Sequence, residues 1–300
     1  MIGTVLCLLY NLAFVLLLAP LFAGLTRKLR ARLQGRVGPP IRQPYYDLLK
    51  LLGKTGNQVR PDYVHRLAPY LTLTGALAAG LFVPLGPRAP LGFAGDGLVL
   101  IYLLTLSSIG VVLSGLSSQS PFAAAGASRE MMLLLVVEPV LAASFLTVGV
   151  RLHSLGLSEV GDGLAGAGVA PSFLLAAVAF FLAVQAESAK LPFDIAEAET
   201  ELMGGPLIEY AGSALAAAQW ALMVRQMVLA AFFSALFLPW PAHLPWLAVL
   251  LTPLKMLGLL VVVEVVAVFS PRLRINQAIR FYEGVAVLAC TGLLCAAIGA

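Results

Sequence analysis

The chain has 300 residues, of which 60% are hydrophobic and 11% charged, and its mean hydropathy is +0.94. A soluble globular domain carries roughly a quarter charged residues, so this composition excludes an ordinary soluble protein. The net charge of +4 could indicate a nucleic-acid partner. In a membrane protein such an excess marks the cytoplasmic loops, so we expect no nucleic-acid partner.

The first apolar run covers residues 1–25. No positive charge precedes it, whereas Arg27, Lys28, Arg30 and Arg32 follow it. A secretory signal peptide has the opposite charge order. The run therefore predicts a retained spanning helix with its N-terminus outside the cell and its end in the cytoplasm.

Residues 26–66 form a basic cytoplasmic loop that holds ten of the 19 Lys and Arg residues. Glycines and prolines interrupt its Gly35–Pro40 part, which predicts a non-helical turn. Residues 43–52 follow, with Pro44 in a position that suits the first turn of a helix. Four apolar residues share one face of this helix at helical spacing: Tyr45, Leu48, Leu49 and Leu52. The pattern predicts a short amphipathic helix on the membrane surface, in contact with the lipid bilayer.

Seven more apolar runs follow, at residues 67–85, 98–118, 130–150, 171–190, 219–238, 246–269 and 278–298. Each is about as long as a bilayer is thick. The fold class is therefore an all-α, polytopic integral membrane protein, with about eight transmembrane helices and one surface helix. No polar stretch is long enough for a second domain, so residues 1–300 are expected to form a single membrane domain.

The basic residues give the orientation of these helices. With the N-terminus outside, 15 of the 19 basic residues fall in cytoplasmic loops and two in outer loops. This bias predicts both termini outside, in a prokaryotic cytoplasmic (inner) membrane. It also places the basic loop 26–66 and the acidic loop 187–212 on the same side.

Residues 187–212 hold six of the 15 acidic residues: Glu187, Asp194, Glu197, Glu199, Glu201 and Glu209. If the segment after Pro192 is helical, Asp194, Glu197 and Glu201 share one face and Glu199 points elsewhere. Like charges at this spacing raise one another's pKa, and such a coupled set suits proton transfer near neutral pH. A solvated acidic face, or one that docks on a basic partner, has the same spacing, so the spacing alone leaves both alternatives open.

Five charges interrupt the apolar runs: Glu138, Glu187, Arg225, Lys255 and Glu264. A charge within a bilayer costs at least ~2.5 kcal/mol, so such residues face a protein interior or water. They form either an ion path or structural ion pairs. The sequence contains no nucleophile–base pair and no metal-ligand spacing, and we expect neither a catalytic residue nor a metal site in this chain.

Two motifs resemble the signature of NADH dehydrogenase subunit 1, the complex I subunit at the quinone site. They are Gly35-Arg36-Val37-Gly38-Pro39, and Leu191-Pro192-Phe193-Asp194 with Glu197–Leu202 and Glu209-Tyr210-Ala211-Gly212. Three further stretches are similar to the hydrogenase branch of that family, which includes formate hydrogenlyase and energy-converting group 4 nickel–iron hydrogenases. These are residues 43–52, Ser128-Arg129-Glu130-Met131 and Glu138-Pro139.

The resemblance implies a membrane anchor and energy-coupling subunit that links electron transfer in a peripheral arm to proton or sodium translocation. The implied partners are peripheral subunits with nickel–iron and iron–sulfur centres, and antiporter-like membrane subunits. Gly35, Arg36, Gly38, Pro39 and Tyr210 would border the cavity under the peripheral arm. The acidic path would comprise Glu138, Glu187, Asp194, Glu197, Glu199, Glu201 and Glu209, and Lys255 and Glu264 are further candidates for it.

In this branch the chain is a non-catalytic subunit and holds no cofactor of its own. The alternative is the quinone-site subunit of an NADH dehydrogenase, which would bind quinone. A third hypothesis is a stand-alone ion transporter. The lack of an internal repeat and the long basic first loop argue against it.

Overall fold

The computed structural model describes residues 2–55, 62–85, 90–157, 159–160, 170–238 and 245–299. Within these residues the chain is helical and contains no strand. The helices are α1 (Ile2–Leu33), α2 (Gln43–Leu52), α3 (Tyr63–Gly80), α4 (Asp96–Leu116), α5 (Pro121–Leu152), α6 (Pro171–Glu187), the single turn α7 (Glu199–Leu202), α8 (Gly212–Phe237), α9 (Pro245–Phe269) and α10 (Ile275–Ile298).

Six of these helices are long and apolar enough to cross a membrane: α1, α4, α5, α8, α9 and α10. Helix α3 has 18 residues and α6 has 17, and neither meets the same combination of length and hydropathy. The described residues therefore agree with the predicted all-helical, polytopic membrane protein. The count of eight spans stays a prediction.

Contacts between distant residues define two ends of the helix bundle. At one end, Arg30 of α1 contacts Glu264 of α9. At the other end, the amide of Asn11 near the start of α1 donates to the carbonyl oxygen of Val83 after α3, at 3.0 Å. The first end carries the connections that follow α1, α4, α6 and α9, and we call it the charged end. The basic and acidic loops thus lie at the same end, as the sequence predicts.

Two helices begin about two turns or more before the start that their apolar runs predict. Helix α5 begins at Pro121 and not at Glu130, so Arg129 lies in a helix and the prediction that it lies in a loop is wrong. Helix α8 begins at Gly212 and not at Gln219. The start of α5 carries polar side chains that pair with other parts of the protein. Prediction from hydropathy leaves such polar residues out of a span. Their backbone is nevertheless helical, so the helix begins before the apolar run does.

Small residues bring the inner helices close together. A Cβ atom on Gly75 of α3 would lie 2.9 Å from the backbone nitrogen of Ser107 in α4, so only glycine permits this approach. Ser107 also donates a hydrogen bond to the Thr72 carbonyl oxygen at 2.9 Å. Close packing of small residues and hydrogen bonds between helices are the usual means of association in a membrane. Helix α4 thereby presents its serine-rich face to the interior.

The amphipathic helix α2 forms where the sequence predicts it, with Pro44 in its first turn. Leu48 is buried and the Tyr45 hydroxyl donates to the Leu17 carbonyl oxygen of α1. Leu49 and Leu52 remain exposed. The apolar face is therefore divided between the helix bundle and the outer surface, as expected for a helix at a membrane boundary.

Candidate functional site

A cavity of about 420 Å³ opens at the charged end between α1, the end of α6, the segment after it and the first half of α8. Five charged side chains line it: Arg27, Glu187, Lys190, Glu197 and Arg225. Apolar residues complete the wall, among them Ala23, Leu222 and Met223. The cavity thus combines both signs of charge with an apolar wall, at the junction of the helix bundle and its charged end.

The chain beyond α6 follows an irregular path that specific contacts hold in place. Helix α6 ends at Glu187, and the side-chain amide of Gln185 donates to the Leu191 carbonyl oxygen at 2.7 Å. Phe193 is buried against Tyr282 of α10, with ring centroids 4.9 Å apart. These contacts fix the segment that carries the acidic residues.

The predicted acidic face of a helix is wrong. Residues 191–198 are not helical, and α7 contributes a single turn. Phe193 and Ile195 are each 2% exposed. The segment forms turns instead: the Phe193 N–H donates to the Lys190 carbonyl oxygen and the Ile195 N–H to the Phe193 carbonyl oxygen, both at 2.8 Å. Pro192 provides no N–H group for a helical turn at this point.

The three acids of that predicted face have different surroundings. The carboxylate of Asp194 lies 3.2 Å from Arg272 Nη2, and that of Glu201 lies 2.9 Å from Arg129 Nη1. Glu197 lines the cavity. The hydrogen bond and charge of Arg129 hold the pKa of Glu201 below its usual range. The predicted mutual rise in pKa is therefore wrong for Glu201.

Glu197 has the opposite electrostatic setting. Burial, followed by the nearby carboxylate of Asp194, raises the pKa of Glu197 from 4.5 to about 7, although Lys190 partly offsets the rise. Burial disfavours the charged form of an acid, and a like charge adds to the effect. Glu197 is thus a cavity-lining carboxyl group that changes its protonation near neutral pH.

A buried polar cluster continues inward from the cavity. Arg225 is 2% exposed, and its Nη1 donates to the Ser108 hydroxyl at 2.7 Å. That hydroxyl lies 3.4 Å from Glu187 Oε2, and Arg225 Nη2 lies 3.8 Å from Glu130 Oε1. Glu138 is within electrostatic reach of Glu187. The cluster therefore joins the cavity to α5 through groups on four helices.

Glu138 lies on α5, and its Oε1 atom is buried without a hydrogen-bond partner among the described residues. Sequence reasoning identified Glu138, Glu187 and Arg225, but it did not include Glu130 or Ser108. Arg225 was the signal in the sequence that pointed to such a partner, because a charge buried within a span requires an acidic group nearby. Glu130 lies in the Ser128–Met131 motif, two helical turns before Glu138.

Two other predicted path residues lie apart from this cluster. Glu264 is 1% exposed and pairs with Arg30 Nη2 at 2.6 Å and with Lys190 Nζ at 3.3 Å. Lys255 lies nearer the opposite end, where its Nζ donates to the Leu238 carbonyl oxygen at 2.6 Å. Glu264 thus connects α1, α9 and the edge of the cavity, whereas Lys255 lies on a distant part of α9.

Residues 209–210 connect the acidic loop to α3 and to the turn after α4. Glu209 accepts a hydrogen bond from the Gln119 backbone N–H at 3.2 Å. The Tyr210 hydroxyl donates to the His65 carbonyl oxygen at 2.9 Å, and the two rings stack with centroids 4.2 Å apart. The side chain of Glu199 lies outside the described residues.

The predicted interface loop Gly35–Pro39 is exposed but has a defined shape. Gly35 and Gly38 both have a φ of +72°, a left-handed conformation that glycine adopts without strain. The Arg36 backbone N–H donates to the Ala31 carbonyl oxygen at 2.7 Å. The loop therefore folds back on the end of α1 and presents the Arg36 side chain to the surroundings.

Comparison with known proteins places these features in a family. The sequence profile of the NADH dehydrogenase family matches residues 5–297. Hydrogenase-4 component C from Escherichia coli (strain K12) is 41% identical over 230 residues, with 75% of this chain and 72% of that protein covered. Formate hydrogenlyase subunit 4 from the same strain is 37% identical over 293 residues, with 93% and 95% covered.

Two further similarities extend over most of the chain. An NADH-quinone oxidoreductase subunit from Rubrobacter xylanophilus is 32% identical over 297 residues, with 92% of this chain and 87% of that protein covered. A chain in the structure of the membrane-bound sulfane sulfur reductase, an archaeal respiratory membrane complex, superposes with a TM-score of 0.91 at 28% identity. That match covers 98% of this chain and 99% of the other. The chain belongs to the NADH dehydrogenase subunit 1 family.

Proposed function

We propose that the chain is the membrane anchor and energy-coupling subunit of a complex I-like group 4 hydrogenase respiratory complex. In this role it links electron transfer in the peripheral arm to translocation of protons or sodium ions. The observation that carries the proposal is the set of buried ionisable groups that extends from the cavity into the bundle. Glu197 and Glu187 line the cavity, Arg225 connects them to α5, and Glu138 lies beyond.

The chemistry of the set suits coupling. A group with a pKa of about 7, as for Glu197, is close to half protonated at neutral pH. A change of ~1.4 kcal/mol in its electrostatic energy shifts its pKa by one unit. A modest change of charge above the cavity would therefore release or take up a proton at Glu197. The buried Arg225 and the carboxylates around it would respond to that change of charge.

The membrane arrangement is part of the same proposal. The chain forms a single domain with eight spanning helices in the prokaryotic inner membrane, and both termini lie outside. The charged end faces the cytoplasm, where peripheral subunits with nickel–iron and iron–sulfur centres dock. Antiporter-like subunits bind laterally, and this chain holds no redox centre of its own. The similarity to the E. coli hydrogenase-4 and formate hydrogenlyase subunits supports these partners.

The test uses the intact complex, purified and reconstituted into vesicles. Glu187→Gln, Glu197→Gln and Glu138→Gln should each at least halve the number of ions moved per electron, while the electron-transfer rate in detergent is retained. Glu283→Gln is the matched control, because it removes an exposed acid from α10. An unchanged ion-to-electron ratio in all three path variants would overturn the proposal.

A second candidate function is the quinone-site subunit of an NADH dehydrogenase. The apolar wall of the 420 Å³ cavity and the similarity to the R. xylanophilus NADH-quinone oxidoreductase subunit favour it. The discriminating measurement is photolabelling of the intact complex with a quinone analogue. Labelling of residues 23–36 that excess quinone competes away would support this function. Activity that needs no quinone, together with no competed labelling, would exclude it.

A further inference from the structure

A second groove at the charged end, of about 460 Å³, is lined by arginines. Arg129, Arg272, Arg274 and Arg280 contribute to it, and Glu201 is the acidic residue that lines it. Arg129 pairs with Glu201 at 2.9 Å, and Arg272 pairs with Asp194 at 3.2 Å. Two of the four arginines are therefore neutralised by the protein itself.

The other two arginines leave the groove positively charged. Arg274 and Arg280 are exposed, and neither forms an ion pair with another described residue. Glu283 is the next acid along α10, one turn beyond Arg280, and it is exposed on the helix surface. Helix α10 also begins here, so the positive end of its dipole adds to the potential of the groove. The groove thus favours a bound anion.

An uncovered apolar stripe runs from this groove along α10. Val287, Leu294 and Ile298 are 65%, 62% and 83% exposed. They follow Arg280 at spacings that place all four residues on one side of a helix. The opposite side of α10 packs against α5 and α6. From Arg280 to Ile298 the stripe is about 27 Å long at 1.5 Å per residue, close to the thickness of a bilayer's hydrocarbon core.

We propose that this groove holds the phosphate group of an anionic phospholipid whose acyl chains lie along the α10 stripe. The two unpaired arginines provide charge complementarity for the phosphate, and the half of the stripe nearest the groove provides a hydrocarbon surface within the same leaflet. An acidic peptide from a soluble partner would satisfy the arginines but would make no contact with the stripe. Basic pockets between helices at the cytoplasmic membrane surface recognise anionic headgroups in this manner.

The test is lipid retention by the purified full-length chain in mild detergent, measured by native mass spectrometry. Cardiolipin, phosphatidylglycerol and phosphatidylcholine are added separately, and inorganic phosphate serves as the free-anion probe. The variant is Arg274→Gln/Arg280→Gln. The matched control is Arg32→Gln/Arg66→Gln, which removes two exposed arginines from other parts of the charged end.

The wild-type chain and the control should retain an anionic lipid in preference to phosphatidylcholine. The groove variant should bind that lipid roughly 30-fold more weakly, because each cation near the surface contributes about 1 kcal/mol. Equal retention of anionic and neutral lipids, or equal retention by the groove variant and the control, would overturn the proposal. Binding of inorganic phosphate as tight as that of lipid would also overturn it. The same variant is also examined in the intact complex, where loss of a soluble subunit with lipid retention unchanged would likewise overturn the proposal.

Discussion

The protonation of Glu197 should make the stability of the protein depend on pH. Its pKa of about 7 in the folded protein exceeds the ordinary value of 4.5. The folded state therefore binds this proton more tightly, so the contribution of Glu197 to stability is fully present below pH 4.5 and is lost as pH rises through 7. The shift corresponds to about 3 kcal/mol as an upper limit. Glu197→Gln removes the free-energy cost of holding a charged carboxylate at this buried position at high pH.

The measurement is thermal unfolding in detergent between pH 4.5 and pH 8. Wild type and Glu197→Gln should unfold at similar temperatures at pH 4.5, and the variant should unfold several degrees higher at pH 8. Glu283→Gln, at an exposed position, should show no comparable change with pH. A constant temperature difference between wild type and Glu197→Gln at every pH would contradict the raised pKa.

Glu264 is predicted to be essential for stability because two cations share its buried carboxylate. Glu264→Gln leaves Arg30 and Lys190 without a counter-charge and should cost about 3 kcal/mol. Arg30→Gln should cost less, because the Lys190 pair remains. Thermal unfolding of both variants checks this order. If Glu264→Gln instead unfolds like wild type but lowers the ion-to-electron ratio, Glu264 belongs to the ion path.

At the residue scale, the sequence predicts which charges are unusual but not how they pair. Arg225 stands out because a charge interrupts an apolar run. Its contacts Ser108 and Glu130 lie far away in sequence and become neighbours only when α4, α5 and α8 pack together. Spacing along one helix contains no information about such contacts. The partners of Asp194 and Glu201 were unpredictable for the same reason.

At the scale of elements, the structured acidic loop depends on one glycine. A Cβ atom on Gly205 would lie 2.1 Å from the Ala196 carbonyl oxygen. Gly204, its neighbour, also has a positive φ but has no atom within 4 Å of such a Cβ. The contact between residues 196 and 205 therefore holds the two halves of the loop together.

Gly205→Ala should loosen this loop, whereas Gly204→Ala is the matched control. Both variants carry the backbone strain of alanine at positive φ, roughly 1 kcal/mol, but Gly205→Ala adds the clash with Ala196. Limited proteolysis within residues 188–211 should be faster in Gly205→Ala than in Gly204→Ala. Equal cleavage rates would show that the close contact does not hold the loop.

Helices were predictable where the apolar pattern and the residues that begin or end a helix indicate the same boundaries. Helix α2 follows from its proline and its apolar face, and most spans follow from unbroken apolar runs. The start of α5 was missed because paired polar side chains continue the helix. The non-helical path of the acidic segment was not predictable from the spacing of its charges, because the burial of Phe193 and Ile195 determines that path.

At the scale of the whole molecule, the charged end should face the cytoplasm. In a chain with Cys7, Cys290 and Cys295 replaced by serine, single cysteines at Val37 and Phe93 report the two ends. Val37 is 90% exposed in the basic loop, and Phe93 is 50% exposed before α4. A membrane-impermeant maleimide should label Phe93→Cys in intact cells and Val37→Cys in inverted vesicles. Labelling of both from one side would contradict the alternating spans.

The ion pairs of Glu264 also imply an order of assembly. Arg30 and Lys190 leave the ribosome before α9, so their carboxylate partner does not yet exist when α1 to α8 are synthesised. The link between α1 and the acidic loop through Glu264 is therefore completed only when α9 is inserted. A chain that stops before α9 would expose two uncompensated cations at its charged end. Insertion of α9 is thus the step at which Arg30 and Lys190 gain their counter-charge, and this pairing distinguishes a complete subunit from an incomplete one.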